Sequence, residues 1–380
     1  MAIVQFSLAP EANNNIIIND GAPDTTLLPY RSLTKEYRKV LDRVTVNTDL
    51  DSKIESPNLR ASLRDFLNQT RGIDFGIENL FLTRGGQMAL YLAAALILKP
   101  GDQVVVTAPC YIAAETLFEK LGCQIIRIPV DQYGMQTDIL ADVLENNDVK
   151  LLYIIPHHHH PTTVTMSKER REHILELIAR YGPAVIEDDY DYDFQFNYDP
   201  YLPLASGEHG GNVIYIGSLT KVLGTPFRIG YMIASKNFLE AAAKLRVLID
   251  IRGDMISEKA VAAMIDSGDL VRHIQKTNKV YAKRCDLLCT LLDKELKEYI
   301  HYQKPSGGLA IWITFKQEYE LPKIARYAQD HGLSIKSNFY FTGRYAHLNA
   351  FRFGFASMNE AKLKTAVNVL KQAIVHLYPQ

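Results

Sequence analysis

Short, fully apolar runs alternate along the chain with helix-like segments between about residue 80 and residue 235. The apolar runs cover 104–106, 125–128, 151–155, 184–186, 213–216 and 229–233, and the helix-like segments include 87–98, 113–121 and 167–181. Strands that have no polar face must be covered on both sides, which is typical of parallel sheets whose strands are connected by helices. We therefore predict an α/β fold with a mostly parallel sheet, in which ligands bind at the loops that follow the strands.

The pattern changes after about residue 237, where longer helical segments predominate. These segments cover 238–250 and 256–296, followed by a glycine-rich, hairpin-like stretch at 306–315, a helix near 320–331 and a final helix from Asn359. Such a mixture indicates a second, smaller α+β domain.

The N-terminal part of the chain shows one clear element. Residues 1–30 have no regular pattern and are predicted to form an arm, whereas Ser56 and Pro57 mark the start of a helix that Gly72 ends. We predict three regions. They are an N-terminal arm with part of the small domain (1–44), a large domain (45–250) and a small C-terminal domain (251–380).

Charge and composition argue against several classes of protein. The 380 residues contain 42 Lys and Arg against 43 Asp and Glu, so a strong sequence-independent hold on nucleic acid is not expected. No apolar run reaches the roughly 20 residues that cross a bilayer, and the first residues lack the features of a signal peptide. The 4 cysteines fit neither a zinc site nor a disulfide framework. We expect a soluble cytoplasmic protein that has no bound metal and no membrane or nucleic-acid partner.

The segment 214–231 contains a lysine in an unusual setting. Lys221 follows an apolar strand through a Ser/Thr turn, and Arg228 comes seven residues later. A partly desolvated lysine has a lowered pKa and can condense with an aldehyde cofactor, while Ser218 and Arg228 have the donors to bind a phosphate. Taken alone, the segment is more simply interpreted as a solvated turn with a surface lysine.

Four acids follow the apolar run 184–186, namely Glu187, Asp188, Asp189 and Asp191. Buried carboxylates are costly unless they meet cations. A carboxylate that faces a pyridine nitrogen keeps that nitrogen protonated, and Tyr190 lies two residues after Asp188, on the same side of an extended chain. A Mg²⁺ site and a solvated acidic loop explain the same residues, so both alternatives stay open at this point.

Three other places give weaker signals. Gly86 and Gln87 begin a helix after a strand, where backbone N–H groups bind phosphate well. Tyr111 ends the next strand and could stack on a flat ring, and Arg352 lies among apolar residues and needs a carboxylate partner. Each signal has a simpler interpretation. The glycine turn at Gly86 can be an ordinary turn, Tyr111 can be a half-buried tyrosine, and the partner of Arg352 can be a carboxylate of the protein itself.

Taken together, these motifs resemble the fold-type-I pyridoxal-phosphate enzymes, specifically class I and II aminotransferases, over about residues 20 to 375. The nearest resemblance is to the aminotransferase-like domains of the MocR/GabR group of GntR regulators. The motifs that carry it are Gly-x-Pro-Asp at 21–24, Thr-Arg-Gly-Gly-Gln at 83–87, Pro-x-Tyr at 109–111, Pro-Thr-Thr at 161–163, Glu-Asp-Asp-Tyr-Asp at 187–191, Ser-x-x-Lys at 218–221 with Arg228, and Arg-x-Gly-Phe at 352–355.

The resemblance implies a cofactor, pyridoxal 5'-phosphate, and roles for particular residues. Lys221 would form the internal aldimine and then act as acid and base, Asp188 would pair with the pyridine nitrogen, and Tyr190 would bond the phenolic oxygen. Arg352 would bind the α-carboxylate of the substrate. The further cofactor contacts that it implies are Gly86, Gln87, Ser218 and Arg228 at the phosphate, Tyr111 on the ring face, and His160.

The resemblance also implies an activity and partners. The large domain would bind the cofactor, and the enzyme would be a homodimer that moves an amino group from an amino acid to a 2-oxo acid. The alternative is an effector-sensing domain of a regulator, which would form an external aldimine without turnover. No counterpart of the regulators' helix-turn-helix domain is found, so we do not expect this chain to bind nucleic acid.

Two positions depart from the family pattern. His160 stands where ordinary aminotransferases have an asparagine, and Leu50 falls roughly where a tyrosine usually reaches the neighbouring subunit's phosphate. The run from His157 to His160 suggests a metal, but we expect no nearby acid or thiol and interpret the run as a polar loop at the mouth of the cofactor site.

Overall fold

The computed structural model divides into two compact units. The large unit contains Pro23–Lys283 and Gln303–Leu309, and the small unit contains Met1–Ala22, Arg284–Tyr302 and Ala310–Gln380. Within these units the structure describes residues 16–44, 56–196, 201–336 and 340–379. Leu50 therefore lies outside the described residues.

The strands and helices are as follows. The strands are β1 (Ile16–Ile18), β2 (Leu80–Thr83), β3 (Gln103–Ala108), β4 (Gln124–Asp131), β5 (Gly134–Met135), β6 (Val149–Ile154), β7 (Ala184–Asp189), β8 (Val213–Ser218), β9 (Gly230–Ile233), β10 (Ile300–Tyr302), β11 (Ala310–Phe315), β12 (Leu333–Ile335) and β13 (Ala350–Gly354). The helices are α1 (Tyr30–Val44), α2 (Pro57–Arg71), α3 (Gly86–Ile97), α4 (Ile112–Lys120), α5 (Thr137–Asn146), α6 (Lys168–Tyr181), α7 (Thr220–Leu223), α8 (Lys236–Val247), α9 (Met255–Asp266), α10 (Asp269–Glu295), α11 (Leu321–Asp330) and α12 (Glu360–Leu377). Within the described residues, no helix is both long and apolar enough to cross a membrane.

The large unit is built on a sheet with the strand order β2-β9-β8-β7-β6-β3-β4-β5. Strands β8, β7, β6, β3 and β4 are parallel to their neighbours in that order, whereas β9 and β5 are antiparallel to β8 and β4. Strand β2 is antiparallel to β9 and therefore runs in the same direction as β8. The prediction of an α/β fold with a mostly parallel sheet is confirmed. The carboxyl ends of β2, β3, β6, β7 and β8 consequently share one edge.

An apolar layer beneath α3 fixes the position of that helix on the sheet. Ala89, Leu90 and Ala93 are buried in one cluster with Val104 of β3 and Ile216 of β8. Small alanine side chains let the helix approach the strands closely, and burial of aliphatic groups stabilises the contact by roughly 25 cal/mol for each Å² removed from water. The N-terminus of α3 is thereby held at the carboxyl edge of the sheet.

The local signals for α2 are confirmed, and those for the later helices are corrected. The Ser56 hydroxyl accepts a bond from the N–H of Leu59, and Gly72 ends the helix with φ +62°. The predicted helix over 256–296 is in fact two helices, α9 and α10, because the chain turns at Gly268 with φ +72°.

The small unit contains strands that the sequence pattern did not reveal. Residues 16–18 are not irregular, since β1 pairs in parallel with β12. The stretch 306–315 is not a hairpin: only β11 is a strand, and it pairs with β10 and β13 in an antiparallel sheet.

The division by contacts differs from the sequence-based domain limits at residues 44 and 250. It groups residues 23–44 and 251–283 with the large unit, because α9 packs against α1 and α2. Where the functional domains divide is still a prediction.

Candidate active site

Most of the predicted site residues lie at the carboxyl edge of the large sheet. Strand β2 leads to Gly86 and Gln87, β3 to Tyr111, β6 to His160, β7 to Asp188 and Tyr190, and β8 to Ser218 and Lys221. Because parallel strands bring their carboxyl ends to one edge, residues far apart in the sequence converge there.

Donors of hydrogen bonds and positive charge gather around the start of α3. Gly85 has φ +78°, and a Cβ built on it would lie 3.0 Å from Nη2 of Arg228. The same Nη2 donates to the carbonyl oxygen of Arg84 at 3.4 Å. A Cβ on Gly86 would lie 3.8 Å from Cβ of Ser218. A guanidinium, a hydroxyl and a helix N-terminus therefore surround one place on the edge, a donor set suited to a phosphate.

Lys221 is presented by a short turn after β8. The Ser218 hydroxyl accepts from the N–H of Thr220 at 3.1 Å and donates to the Thr220 hydroxyl at 2.9 Å. The N–H of Leu219 bonds to the carbonyl oxygen of Ile229 at 3.0 Å, which ties the turn to the segment before β9. Lys221 follows in the first turn of α7 and is half-buried, so it is not a fully solvated surface lysine.

Asp188 is the acid of β7 that has the most distinctive setting. The Tyr153 hydroxyl donates to its Oδ2 at 2.7 Å, and both side chains are buried. Burial raises the pKa of Asp188 to about 6, although the bond from Tyr153 opposes this rise. A carboxylate that is costly to ionise in this protein alone is suited to a cationic ring nitrogen, which offsets the cost.

The other acids of this segment have partners of their own. Glu187 accepts from the N–H groups of Leu204 and Ala205, and burial raises its pKa to about 8. Asp189 accepts from the Tyr215 hydroxyl at 2.8 Å, and Asp191 lies 2.9 Å from Nδ1 of His158. All four acids are buried, which excludes the solvated acidic loop. In the described part of the chain, no group of three or more His, Cys, Asp or Glu is arranged to hold a metal ion.

Contacts among aromatic side chains connect the start of α3 with the segment that follows β7. The Tyr111 hydroxyl donates to Oε1 of Gln87 at 3.3 Å, and its ring meets that of His160 edge-on at 5.1 Å between centroids. The His160 ring lies 6.0 Å from that of Tyr190. The Tyr190 hydroxyl donates to the carbonyl oxygen of His158 at 2.9 Å. The structure therefore brings Gln87, Tyr111, His160 and Tyr190 together, and their role as cofactor contacts is still a prediction.

The histidine run differs from the expected polar loop, because all four rings are buried. Our expectation that no acid lies nearby was wrong: Nδ1 of His157 is 3.3 Å from Asp189, and His158 pairs with Asp191. Asp189 ends β7 and Asp191 follows it by two residues, and β7 pairs with β6, the strand that leads to the histidines. The sequence does not show that these two segments adjoin.

Arg352 belongs to the small unit and is described separately. It lies in β13 with 1 % of its side chain exposed, and its Nε is 2.9 Å from Oδ1 of Asp20. In the antiparallel pairing of β13 with β11, it is directly opposite Trp312. The expected carboxylate partner is thus found, and it is a residue of the chain itself.

Two polar residues of interest were missed by the sequence reasoning. Tyr153 was counted as part of an apolar run. A tyrosine hydroxyl in a buried strand requires a hydrogen-bond partner, so this residue indicates that a polar group lies nearby. Asp20 precedes the glycine of the Gly-x-Pro-Asp motif, and nothing in the sequence connects it to Arg352.

The residues present fit a phosphorylated pyridine. In the register of β7 and β8, Asp188 is opposite Ile216, and Ser218 is two residues further along, or roughly 7 Å. A carboxylate for a ring nitrogen and a cationic donor set for a phosphate are therefore separated by about the length of such a molecule. The sheet and this pair of sites define the class of fold-type-I pyridoxal-phosphate enzymes.

Comparison with known proteins identifies the family. Residues 19–370 match the family described as aminotransferase class I and II, and the chain belongs to it. It is an aminotransferase, and its cofactor is pyridoxal 5'-phosphate.

Three similar proteins show the range of this likeness. The aromatic-amino-acid aminotransferase 1 of Thermococcus litoralis is 28% identical over 370 residues, which is 96% of this chain and 89% of that protein. The structure of Pyrococcus horikoshii kynurenine aminotransferase has a TM-score of 0.86 and 27% identity, covering 97% of this chain and 92% of that chain. The HTH-type transcriptional regulator NorG of Staphylococcus aureus is 27% identical over 309 residues, covering 80% of this chain and 69% of that protein.

Proposed function

We propose that this chain transfers the amino group of an amino acid to a 2-oxo acid, with Lys221 as the residue that holds the cofactor and moves the substrate's Cα proton. When bound, pyridoxal phosphate supplies the electron sink for this chemistry. Asp188 keeps the ring nitrogen protonated, and Tyr190 positions the ring. Gly86, Gln87, Ser218 and Arg228 bind the phosphate, and Tyr111 and His160 contact the ring.

The observation that carries this proposal is the pairing of opposite charges at one edge. Arg228 and the N-terminus of α3 supply positive charge beside Ser218, and the buried Asp188 supplies negative charge on the neighbouring strand. Lys221 is half-buried in the turn that directly follows Ser218. Lys221 therefore belongs to the segment that carries the proposed phosphate donor Ser218, next to the strand that carries Asp188.

We further propose that aromatic amino acids are the preferred donors, with Arg352 binding their α-carboxylate. Trp312 stands opposite Arg352 in the β11 and β13 pairing, so the two side chains share a face of that sheet. Tyr340 meets Trp312 edge-on at 5.4 Å, and Tyr345 lies 6.3 Å from Tyr340. An aromatic cluster beside an arginine suits a carboxylate that carries an aromatic side chain, and the names of two of the relatives agree.

A spectrophotometric screen tests the function. Protein purified with pyridoxal phosphate is mixed with single amino acids, including phenylalanine, tyrosine, alanine and aspartate. We expect loss of the yellow colour and release of the matching 2-oxo acid, fastest with the aromatic donors. The absence of any 2-oxo acid with all donors contradicts the proposal.

Sensing is the second candidate, favoured by the likeness to NorG. A sensing domain changes its spectrum on binding an amino acid but releases no 2-oxo acid, so the same screen separates the two functions. We also propose a homodimer, to be measured by analytical ultracentrifugation. A cytoplasmic location is still a prediction from the sequence.

A further inference from the structure

We propose that Asp20 is a resident carboxylate on Arg352, which the α-carboxylate of the substrate must displace, so that Asp20 sets how tightly carboxylate substrates bind. This inference rests on the proposed role of Arg352 and names a residue that controls the affinity of that same site.

The first support is the contact itself. Nε of Arg352 lies 2.9 Å from Oδ1 of Asp20, with 1 % of the arginine side chain exposed. A buried guanidinium is expensive without a counter-charge. Asp20 provides that charge when no substrate is bound, and a substrate carboxylate provides it afterwards.

The second support is the difference in burial between the two partners. The Asp20 side chain is 43% exposed, although the Oδ1 atom that faces Arg352 is buried, so the carboxylate already borders water. The contact is an ion pair rather than a well-aligned hydrogen bond. An α-carboxylate that binds the guanidinium with aligned, bidentate geometry therefore has the stronger interaction.

The third support is the rigid backbone on which Asp20 stands. The carbonyl oxygen of Asn19 accepts from the N–H of Gly354 at 2.9 Å, and the Asn19 side chain accepts from the N–H groups of Gly21 and Ala22. Its amide also donates to Ser357 at 2.6 Å. The main chain on both sides of Asp20 is thus held, so displacement involves the Asp20 side chain rather than its backbone.

The test compares Asp20→Asn with the native holoenzyme. Asparagine keeps the size and polarity of the side chain and removes the competing charge. We measure the dissociation constant of 3-phenylpropanoate, a carboxylate that has no amino group, by calorimetry, and the KM and kcat for phenylalanine. The expected result is a dissociation constant and a KM that are about three- to tenfold lower in the variant, with a smaller change in kcat.

Two further variants keep the result interpretable. Asp330→Asn removes the same charge from an exposed position of the small unit and is expected to leave the dissociation constant unchanged. In an Arg352→Lys background, the effect of Asp20→Asn is expected to shrink, because the paired guanidinium is gone.

Each remaining outcome has a definite meaning. Equal or weaker binding of 3-phenylpropanoate by Asp20→Asn overturns the inference, as does the absence of measurable binding by both proteins. A native enzyme that turns phenylalanine over while Asp20→Asn binds no more tightly contradicts only the role of Asp20. A native enzyme that releases no 2-oxo acid contradicts the proposed function itself.

Discussion

The hydroxyl of Tyr153 donates a 2.7 Å hydrogen bond to Oδ2 of Asp188, from the neighbouring strand of the large sheet. Only 1 % of Tyr153 and 8 % of Asp188 are exposed, and Phe118 packs edge-on against the tyrosine ring. A hydrogen bond to a carboxylate favours its ionised form, which is the form that holds a protonated pyridine nitrogen. Tyr153 therefore positions Asp188 and stabilises its charge.

Tyr153→Phe is expected to weaken the binding of pyridoxal phosphate. Loss of the donor raises the pKa of Asp188 further, so less of the ionised carboxylate is present near neutral pH. The hydrogen bond to a charged group contributes on the order of 2 kcal/mol, which corresponds to roughly a 30-fold increase in the dissociation constant of pyridoxal phosphate. Absorbance titration of the apoprotein at several pH values measures this dissociation constant, and the ratio between variant and native protein should increase as the pH falls from 8 toward 6.

Tyr215→Phe is the matched control for this prediction. Tyr215 is also a buried tyrosine that donates to an acid of β7, but its acceptor is Asp189 rather than Asp188. If both variants weaken cofactor binding equally and with the same pH dependence, the assignment to the Tyr153–Asp188 pair is wrong.

Asp188→Asn is expected to make the apoprotein more stable above neutral pH. The pKa of Asp188 in the folded protein is about 6, against 3.8 for an ordinary aspartate. Between these values the folded state keeps a proton that the unfolded state has lost, so this group lowers the free energy of unfolding as the pH rises. Above the folded-state pKa, the ionised Asp188 lowers the free energy of unfolding by about 3 kcal/mol. Asparagine has no charge at any pH, so the variant does not have this cost.

Urea unfolding of the apoprotein at pH 4 and pH 8 measures whether Asp188→Asn raises the free energy of unfolding as predicted. We expect the variant to exceed the native protein clearly at pH 8 and to come close to it at pH 4, where Asp188 of the folded native protein holds its proton. Glu187 also titrates, near pH 8, but it is present in both proteins and cancels in the comparison. A variant that is less stable than the native protein at pH 8 contradicts the prediction.

Local signals in the sequence account for much of the fold. Ser56, Pro57 and Gly72 delimit α2 because capping and a left-handed turn depend on those residues alone. The apolar runs identify the central strands because strands covered on both faces need no alternation. β1 was not predicted because it is three residues long and its pairing partner, β12, lies more than three hundred residues away in the sequence.

Local signals in the sequence likewise account for only some residues of the candidate site. Lys221, Asp188 and Ser218 are recognisable because their motifs are local and the strands that carry them are predictable. The pairing of His158 with Asp191, and that of Arg352 with Asp20, depends on which loops the tertiary fold brings together. No spacing along the chain encodes such contacts, so only the structure supplies them.

Gly85→Ala is expected to weaken phosphate binding at the start of α3. Gly85 has φ +78°, and a Cβ there would lie 3.0 Å from Arg228 Nη2, so the guanidinium must move. Gly182→Ala is the control, because Gly182 has φ +69° with open space around it. Both variants should lose about 1 kcal/mol of stability through backbone strain. Only Gly85→Ala should raise the dissociation constant of pyridoxal phosphate, by roughly tenfold, in fluorescence titration.

Lys221→Ala is expected to abolish transamination. Removing one general base typically costs about 10² to 10⁴ in rate, and this variant also loses the amine that holds the cofactor, so the loss should exceed that range. Lys236→Ala, which removes an exposed lysine from the start of α8, should be as active as the native enzyme.

Borohydride reduction of the holoprotein, followed by peptide mapping, provides a readout that does not depend on turnover. The native protein and Lys236→Ala should carry the cofactor on the peptide that contains Lys221, and Lys221→Ala should carry none. Lys221 is the only lysine between Ser218 and the end of α7 at Leu223. Labelling of a different lysine in the native protein, with position 221 untouched, would show that the reactive amine lies elsewhere in the chain.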